Sequence, residues 1–73
     1  MNIIGKNVRM IREKNGLTQE EFAGKCNLIH WEISRSTVAK IESNVRRITD
    51  IEVKYLAKAL DVEVNKLFLD SSK

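Results

Sequence analysis

Residues 27–42 read NLIHWEISRSTVAKIE, and the second half of this stretch predicts a short helix. Ser34 stands where an N-cap is expected, because its hydroxyl can accept a hydrogen bond from a free backbone N–H of the first turn. Ile33 and Val38 have the spacing of a hydrophobic staple, and Val38 and Ile41 are expected to face the core. The residues left on the outer face are Arg35, Ser36, Ala39 and Lys40.

The first half of this stretch, NLIHWE, is unusual because it places bulky apolar residues where a tight turn is expected. Outward from it, two further helix starts carry the T-x-x-E pattern of a capping box, Thr18 with Glu21 and Thr49 with Glu52. Apolar residues recur at helical spacing in five segments, and no segment shows the alternation of a strand. The segments run from about 3 to 14, from 18, 34 and 49 onward, and from about 64 to 69. The sequence therefore predicts an all-α fold.

Composition limits the classes of protein that the chain can belong to. With 73 residues, a single domain covering 1–73 is expected. One cysteine, Cys26, excludes an internal disulfide and suits a reducing cytoplasm. No apolar run approaches the ~20 residues of a membrane-spanning helix. The net charge is +3, and the basic excess lies in residues 1–48, which carry nine Lys or Arg and five acids.

Catalytic and metal-binding patterns are not found in the sequence. It contains no P-loop and no Ser, His and Asp set with plausible roles. One cysteine and one histidine, His30, cannot form a zinc site within one chain. We therefore expect no enzyme activity, no cofactor and no metal. Cys26 is interpreted as a small core residue.

Three blocks of sequence, GLTQEEFAGKC, ISRSTVAKIES and LAKALDVEVNKLF, resemble the phage repressor-type (Cro/Xre-like) helix-turn-helix family. The resemblance covers about residues 8–68, and the blocks occur in the family's order. It implies a five-helix, lambda-repressor-like domain whose helix-turn-helix spans about residues 18–43. In such domains helix 2 crosses the DNA backbone and helix 3 enters the major groove. It also implies a sequence-specific, repressor-like transcriptional regulator that binds double-stranded DNA as a homodimer.

The sequence departs from the family between helices 2 and 3. The family usually has a Gly-apolar-Ser turn there, and Ile33-Ser34 can supply the apolar-Ser pair. If Asn27 replaces the glycine, five residues, 28–32, are inserted. We expect helix 2 to gain about one turn, His30 or a neighbour to reverse the chain, and Trp31 to shield the added turn. An exposed Trp31 would instead favour a protein contact.

The resemblance assigns roles to residues at the expected DNA interface. Arginine can donate two hydrogen bonds to guanine, and lysine can offer a point charge to the same edge. The expected base-reading residues are Arg35, Ser36 and Lys40. The expected phosphate-contacting residues are Gln19, Ser34, Thr37, Arg46 and Arg47. Without the resemblance, each of these residues would be interpreted as part of a solvated surface.

Two further assignments and two alternative functions complete the sequence-based hypothesis. Arg12 and Glu42 match positions where the family carries a structural ion pair. The expected dimer interface consists of Leu67, Phe68 and Leu69. One alternative function is a protein-binding adaptor or antitoxin on the same fold, using the inserted residues 28–31. The other, a module of a larger enzyme, has no motif to support it.

Overall fold

Four of the five segments predicted to be helical form α-helices in the computed structural model, which describes residues 3–69. Of these, α1 is Ile4–Lys14, α2 is Gln19–Leu28, α3 is Arg35–Glu42 and α4 is Asp50–Leu60. The fifth, Val64–Phe68, is a 3₁₀ helix rather than an α-helix. No strand occurs within residues 3–69, so the chain is all-helical there. The predicted domain boundaries at 1 and 73 lie outside the described residues.

Three helix starts have the side-chain caps that the sequence predicts. In α2, the Thr18 hydroxyl accepts from the Glu21 backbone N–H at 3.0 Å, and the Glu21 carboxylate accepts from the Thr18 N–H at 2.8 Å. Thr49 forms the same reciprocal capping box at the start of α4. Ser34 accepts from the backbone N–H of the third residue of α3. Each cap satisfies backbone donors that the helix itself leaves unbonded.

All four α-helices end in the same way. The chain turns at a residue with left-handed backbone geometry, and the N–H of the next residue bonds the carbonyl five positions earlier at 2.9–3.1 Å. This pattern is the Schellman motif, and the residue after the turn is apolar in every case. The left-handed residues are Gly16, His30, Asn44 and Asp61, with φ of 74°, 69°, 62° and 59°. Three of the four helices thus end without glycine, at residue types that tolerate this geometry better than most.

The core is built from one apolar face of each helix. Its largest fully buried side chains are Phe22, Ile41, Leu56, Leu60 and Leu67. The helices α1 and α2 both pack against α3, and the 3₁₀ helix packs against α1 and α4. α3 is therefore fixed by two neighbours while one of its faces remains outside the core.

Gly5 is where α1 approaches the end of α3 most closely. A Cβ atom at this position would overlap the Ile41 carbonyl oxygen and lie 2.6 Å from the side-chain oxygen of Asn44. Only a residue without a side chain therefore allows α1 to pack directly on the backbone that ends α3. This contact sets the position of the C-terminal end of α3 relative to the rest of the domain.

Asn7 joins α1 to the last described residues of the chain. Its buried side-chain nitrogen donates to the carbonyl oxygens of Leu67 at 2.7 Å and Leu69 at 2.8 Å. Leu67 itself is fully buried in the core of the protomer, so it is not available for the dimer interface expected from the sequence. Phe68 and Leu69, in contrast, are 52% and 55% exposed.

The NLIHWE stretch forms the end of α2 and a short link to α3. His30 reverses the chain with its left-handed geometry, as the sequence predicts for it or a neighbour. Trp31 packs against the core, with its ring centroid 5.4 Å from that of Tyr55. Ile29 also packs against the core, whereas Leu28 is 81% exposed. The apolar residues of this stretch thus mostly extend the core under the link.

Candidate nucleic-acid interface

The outer face of α3 carries the three residues expected to read bases. Arg35 begins the helix, Ser36 follows it and Lys40 lies about one turn further on, and all three are exposed. The opposite face, with Val38 and Ile41, is fully buried. The helix therefore presents a guanidinium, a hydroxyl and an ammonium group to solvent from a backbone that the core holds in place.

Three hydroxyl groups cluster at the N-terminus of α3. The Ser34 oxygen lies 2.9 Å from the Ser36 hydroxyl and 3.3 Å from the Thr37 hydroxyl. The Ser34 hydroxyl also caps the helix by accepting from the Thr37 backbone N–H at 3.3 Å. Hydroxyl groups donate as well as accept, so this cluster can offer donors to an anion while it keeps the helix start closed.

A buried ion pair lies behind α3. Arg12 donates to Glu42 through Nε at 2.6 Å and through Nη2 at 3.1 Å, with side chains only 8% and 3% exposed. This hydrogen bonding raises the pKa of Arg12 above its ordinary value. Arg12 Nη1 also donates to the Leu17 carbonyl at 2.6 Å. The pair thus ties α1 to the end of α3 and to the turn before α2.

Gln19 is joined to the same ion pair. Its side-chain nitrogen donates to Glu42 Oε1 at 3.1 Å, so the carboxylate receives donors from both Arg12 and Gln19. Gln19 is the first residue of α2 and is half-buried. One N–H of its amide is committed to Glu42, while the other N–H and the carbonyl oxygen remain available at the N-terminal end of α2.

The two arginines of the loop between α3 and α4 differ in their surroundings. Arg46 donates to both carboxylate oxygens of Glu52, at 3.1 and 2.8 Å. The bond from Arg46 lowers the pKa of Glu52 below its ordinary value, because it stabilises the ionised carboxylate. Arg47 is exposed, and it forms no ion pair with any acid within residues 3–69.

Some of these contacts have no clear signature in the sequence. The T-x-x-E pattern identifies Glu52 as part of a capping box, but the same carboxylate also binds Arg46. Asn7 carries no motif, since its two carbonyl partners lie about sixty positions away in the chain. Arg46 and Glu52 lie six positions apart, a spacing that allows them to pair across the loop. The spacing alone does not predict this pair, which depends on the path of the loop in the fold.

Other kinds of site find no support in the described part of the chain. Within residues 3–69, no group of three or more His, Cys, Asp or Glu residues could hold a metal ion. No helix in that range is long and apolar enough to cross a membrane. Cys26 is fully buried, and burial raises its pKa to about 12, so its thiol is protonated and shielded.

Comparison with known proteins places this arrangement in a family. The competence pilus inhibition repressor of Acinetobacter baylyi is 32% identical over 66 residues, which cover 90% of this chain and 56% of the repressor. The chain thus spans little more than half the length of that relative. The crystal structure of the restriction-modification controller protein C.AhdI from Aeromonas hydrophila is similar with a TM-score of 0.77 and 32% identity. That similarity covers 89% of this chain and 87% of C.AhdI. The helix-turn-helix family profile matches residues 8–67, and the chain belongs to that family.

Proposed function

We propose that the protein is a sequence-specific, repressor-like transcriptional regulator that reads DNA through α3. Membership of the helix-turn-helix family supports a DNA-binding regulator, as do relatives named a repressor and a controller protein. The observation that carries the proposal is the exposed polar face of α3 on a helix otherwise held by the core. The regulator acts by binding DNA in the cytoplasm and needs no cofactor. Its fold is the five-helix, lambda-repressor-like arrangement of its family.

The base-reading role belongs to Arg35, Ser36 and Lys40. Arg35 stands in the first turn of α3, the part of a recognition helix that reaches deepest into the major groove. Its guanidinium can donate to O6 and N7 of guanine, a contact worth about 1–3 kcal/mol of discrimination. Lys40 contributes a point charge one turn later, and Ser36 can either donate or accept.

Phosphate contacts flank this face. The first intrahelical bond of α2 is donated by Phe22, and the Glu21 N–H is bonded to the Thr18 hydroxyl. The N–H groups of Gln19 and Glu20 are therefore the ones that can favour an anion. Gln19 adds its amide there, in an orientation that Glu42 fixes. Ser34 and Thr37 offer hydroxyl donors at the start of α3. Of the two loop arginines, Arg47 is the one free to bind phosphate.

A homodimer on two half-sites about one helical turn apart is the form in which such a domain binds. The exposed Phe68 and Leu69, beside Val64 at 40% exposure, offer an apolar surface for the second copy. Asn7 fixes the backbone that carries this surface. The proposed interface therefore consists of Phe68 and Leu69, without the buried Leu67.

Selection from a pool of random DNA duplexes at near-physiological salt tests the proposal. We expect the wild-type protein to enrich an inverted repeat. The double variant Arg35→Ala/Lys40→Ala should lose this enrichment, whereas Lys54→Ala, an exposed lysine on α4, should retain it. Binding that is salt-sensitive but equal on all sequences would contradict base reading by α3.

Arg35→Ala alone gives a sharper test of the residue assignments. It should relax the preference at one base pair in each half-site and leave the remaining positions unchanged. A uniform loss of affinity on all sequences would instead assign Arg35 to phosphate. The alternative function, a protein-binding adaptor or antitoxin, has less support, because Trp31 packs on the core and on Tyr55.

A further inference from the structure

Loop 43–49 connects α3 to α4, and it carries both Arg46 and Arg47. The loop begins at the Schellman motif of α3, where the Val45 N–H donates to the Lys40 carbonyl at 3.1 Å. It ends at Thr49, the N-cap of α4. Both ends of the loop are thus fixed by backbone hydrogen bonds, and the position of its middle depends on side chains.

The carboxylate of Glu52, a residue of α4, bonds the loop to that helix. Arg46 donates to Oε1 through Nη1 and to Oε2 through Nη2, in a bidentate arrangement. The same Oε1 accepts the Thr49 backbone N–H at 3.1 Å as half of the capping box. The Glu52 side chain is 13% exposed and that of Arg46 is 33% exposed, so the pair is largely shielded from solvent. Glu52 therefore links the helix cap and the loop through one group.

This pairing opposes direct phosphate binding by Arg46. The guanidinium and the carboxylate together carry no net charge, so the pair provides little long-range attraction for a polyanion. To bind phosphate with its full charge, Arg46 would have to leave Glu52 and expose a carboxylate beside the DNA. Arg47, the next residue, is exposed and faces no such competition.

We propose that Arg46 is a positioning residue, which with Glu52 fixes loop 43–49 so that Arg47 meets the DNA backbone. This inference rests on the proposed DNA-binding function and assigns different roles to the two adjacent arginines. Arg47 provides the charge that binds phosphate. Arg46 holds the loop in its conformation and neutralises no phosphate itself.

The salt dependence of DNA binding separates these roles, because each neutralised phosphate contributes ~0.9 to the slope of log K against log salt concentration. We would compare Arg47→Ala, Arg46→Ala, Glu52→Gln and the double variant Arg46→Ala/Glu52→Gln on the selected duplex. Glutamine keeps the capping box, which accepts either residue at this position. Circular dichroism checks that each variant is folded.

Arg47→Ala should lower the slope by about 0.9 units for each protomer bound, which is about 1.8 units for the proposed homodimer. Arg46→Ala and Glu52→Gln should each weaken binding by about threefold to tenfold and leave the slope unchanged. The double variant should be no weaker than either single one, since both remove the same contact. If Glu52→Gln instead tightens binding and steepens the slope, Arg46 is a phosphate contact that Glu52 restrains, and the proposal is wrong. If Arg46→Ala lowers the slope as much as is expected for Arg47→Ala, about 0.9 units for each protomer, the proposal is also wrong.

Amide hydrogen exchange keeps the inference testable if the wild-type protein binds no DNA. That result would overturn the proposed function but not the role of Arg46 in the loop. The amide proton of Val45 should exchange faster in Arg46→Ala and in Glu52→Gln, by similar factors and without further increase in the double variant. Unchanged exchange in both single variants would refute the positioning role.

Discussion

Replacing Arg12 by methionine tests how strongly the buried ion pair holds the domain together. Methionine keeps the length and much of the packing of the arginine stem and removes its charge and donors. The variant loses both bonds to Glu42, at 2.6 and 3.1 Å, and the bond to the Leu17 carbonyl. Glu42 is left 3% exposed, with the Gln19 amide as its remaining partner.

The expected cost is large because a charge remains buried without its counter-ion. Breaking a buried pair by removing one partner destabilises a protein by about 3–5 kcal/mol. A domain of 73 residues has a total stability of about 4–11 kcal/mol on average per-residue values. Arg12→Met should therefore remove about a quarter or more of the stability. Each kcal/mol corresponds to about 4–8 °C in a domain of this size, so the melting temperature should fall by at least about 12 °C.

Urea unfolding followed by circular dichroism measures the effect, with the m-value as a check that the unfolding reaction is unchanged. Arg9→Met is the matched control, since Arg9 pairs with Glu13 at 3.2 Å in the same helix but with side chains 64% and 54% exposed. Such exposed pairs contribute about 0.3–0.5 kcal/mol. A loss below about 1 kcal/mol for Arg12→Met would refute the conclusion that burial makes this pair essential.

Five more substitutions test helix ends and helix contacts of the fold by thermal unfolding. His30→Gly should stabilise the protein by up to about 1 kcal/mol, because glycine adopts left-handed geometry without strain, and Gly16→Ala should destabilise it for the same reason. Asn7→Ala should cost about 1–3 kcal/mol, since the buried Leu67 carbonyl and the part-buried Leu69 carbonyl lose their donor, and an effect below about 0.5 kcal/mol would contradict a stabilising role for these two bonds. Gly5→Ala should destabilise the domain, because the added Cβ overlaps the end of α3. Gly24→Ala is the control and should be neutral or stabilising, since a Cβ there meets nothing within 4 Å. If Gly24→Ala were the more destabilising of the two, α1 would not approach α3 as closely as described.

The sequence predicted those parts of the fold that depend on local chemistry. Both T-x-x-E boxes and the Ser34 cap place the starts of three helices, because a cap and its partner lie three residues apart. The helical spacing of Val38 and Ile41 identified the buried face of α3. The exposed face follows from it, whereas the base-reading role of the residues on that face comes from the family resemblance and stays a prediction.

Contacts between residues far apart in the sequence were harder to predict. Leu67 was predicted to face a second copy of the chain, and it fills the core instead, because its packing against α1 and α4 depends on how the 3₁₀ helix folds back. Glu52 was assigned only its local capping role, while its bond to Arg46 depends on the path of the loop. Local patterns specify one partner for a side chain, and a carboxylate with two oxygens has room for another.

The reactivity of the Cys26 thiol can report how often the structure around it opens. Cys26 is the one cysteine in the sequence, it is fully buried, and burial raises its pKa to about 12, so the thiol is protonated at pH 8. A thiol-modifying reagent should therefore react at a rate set by how often the end of α2 leaves the core. Because the Cys26 carbonyl also accepts the Trp31 N–H, that rate measures how often the link between α2 and α3 opens. Protection of the thiol on addition of DNA would then show that binding at α3 stabilises this link, without any label that disturbs the interface.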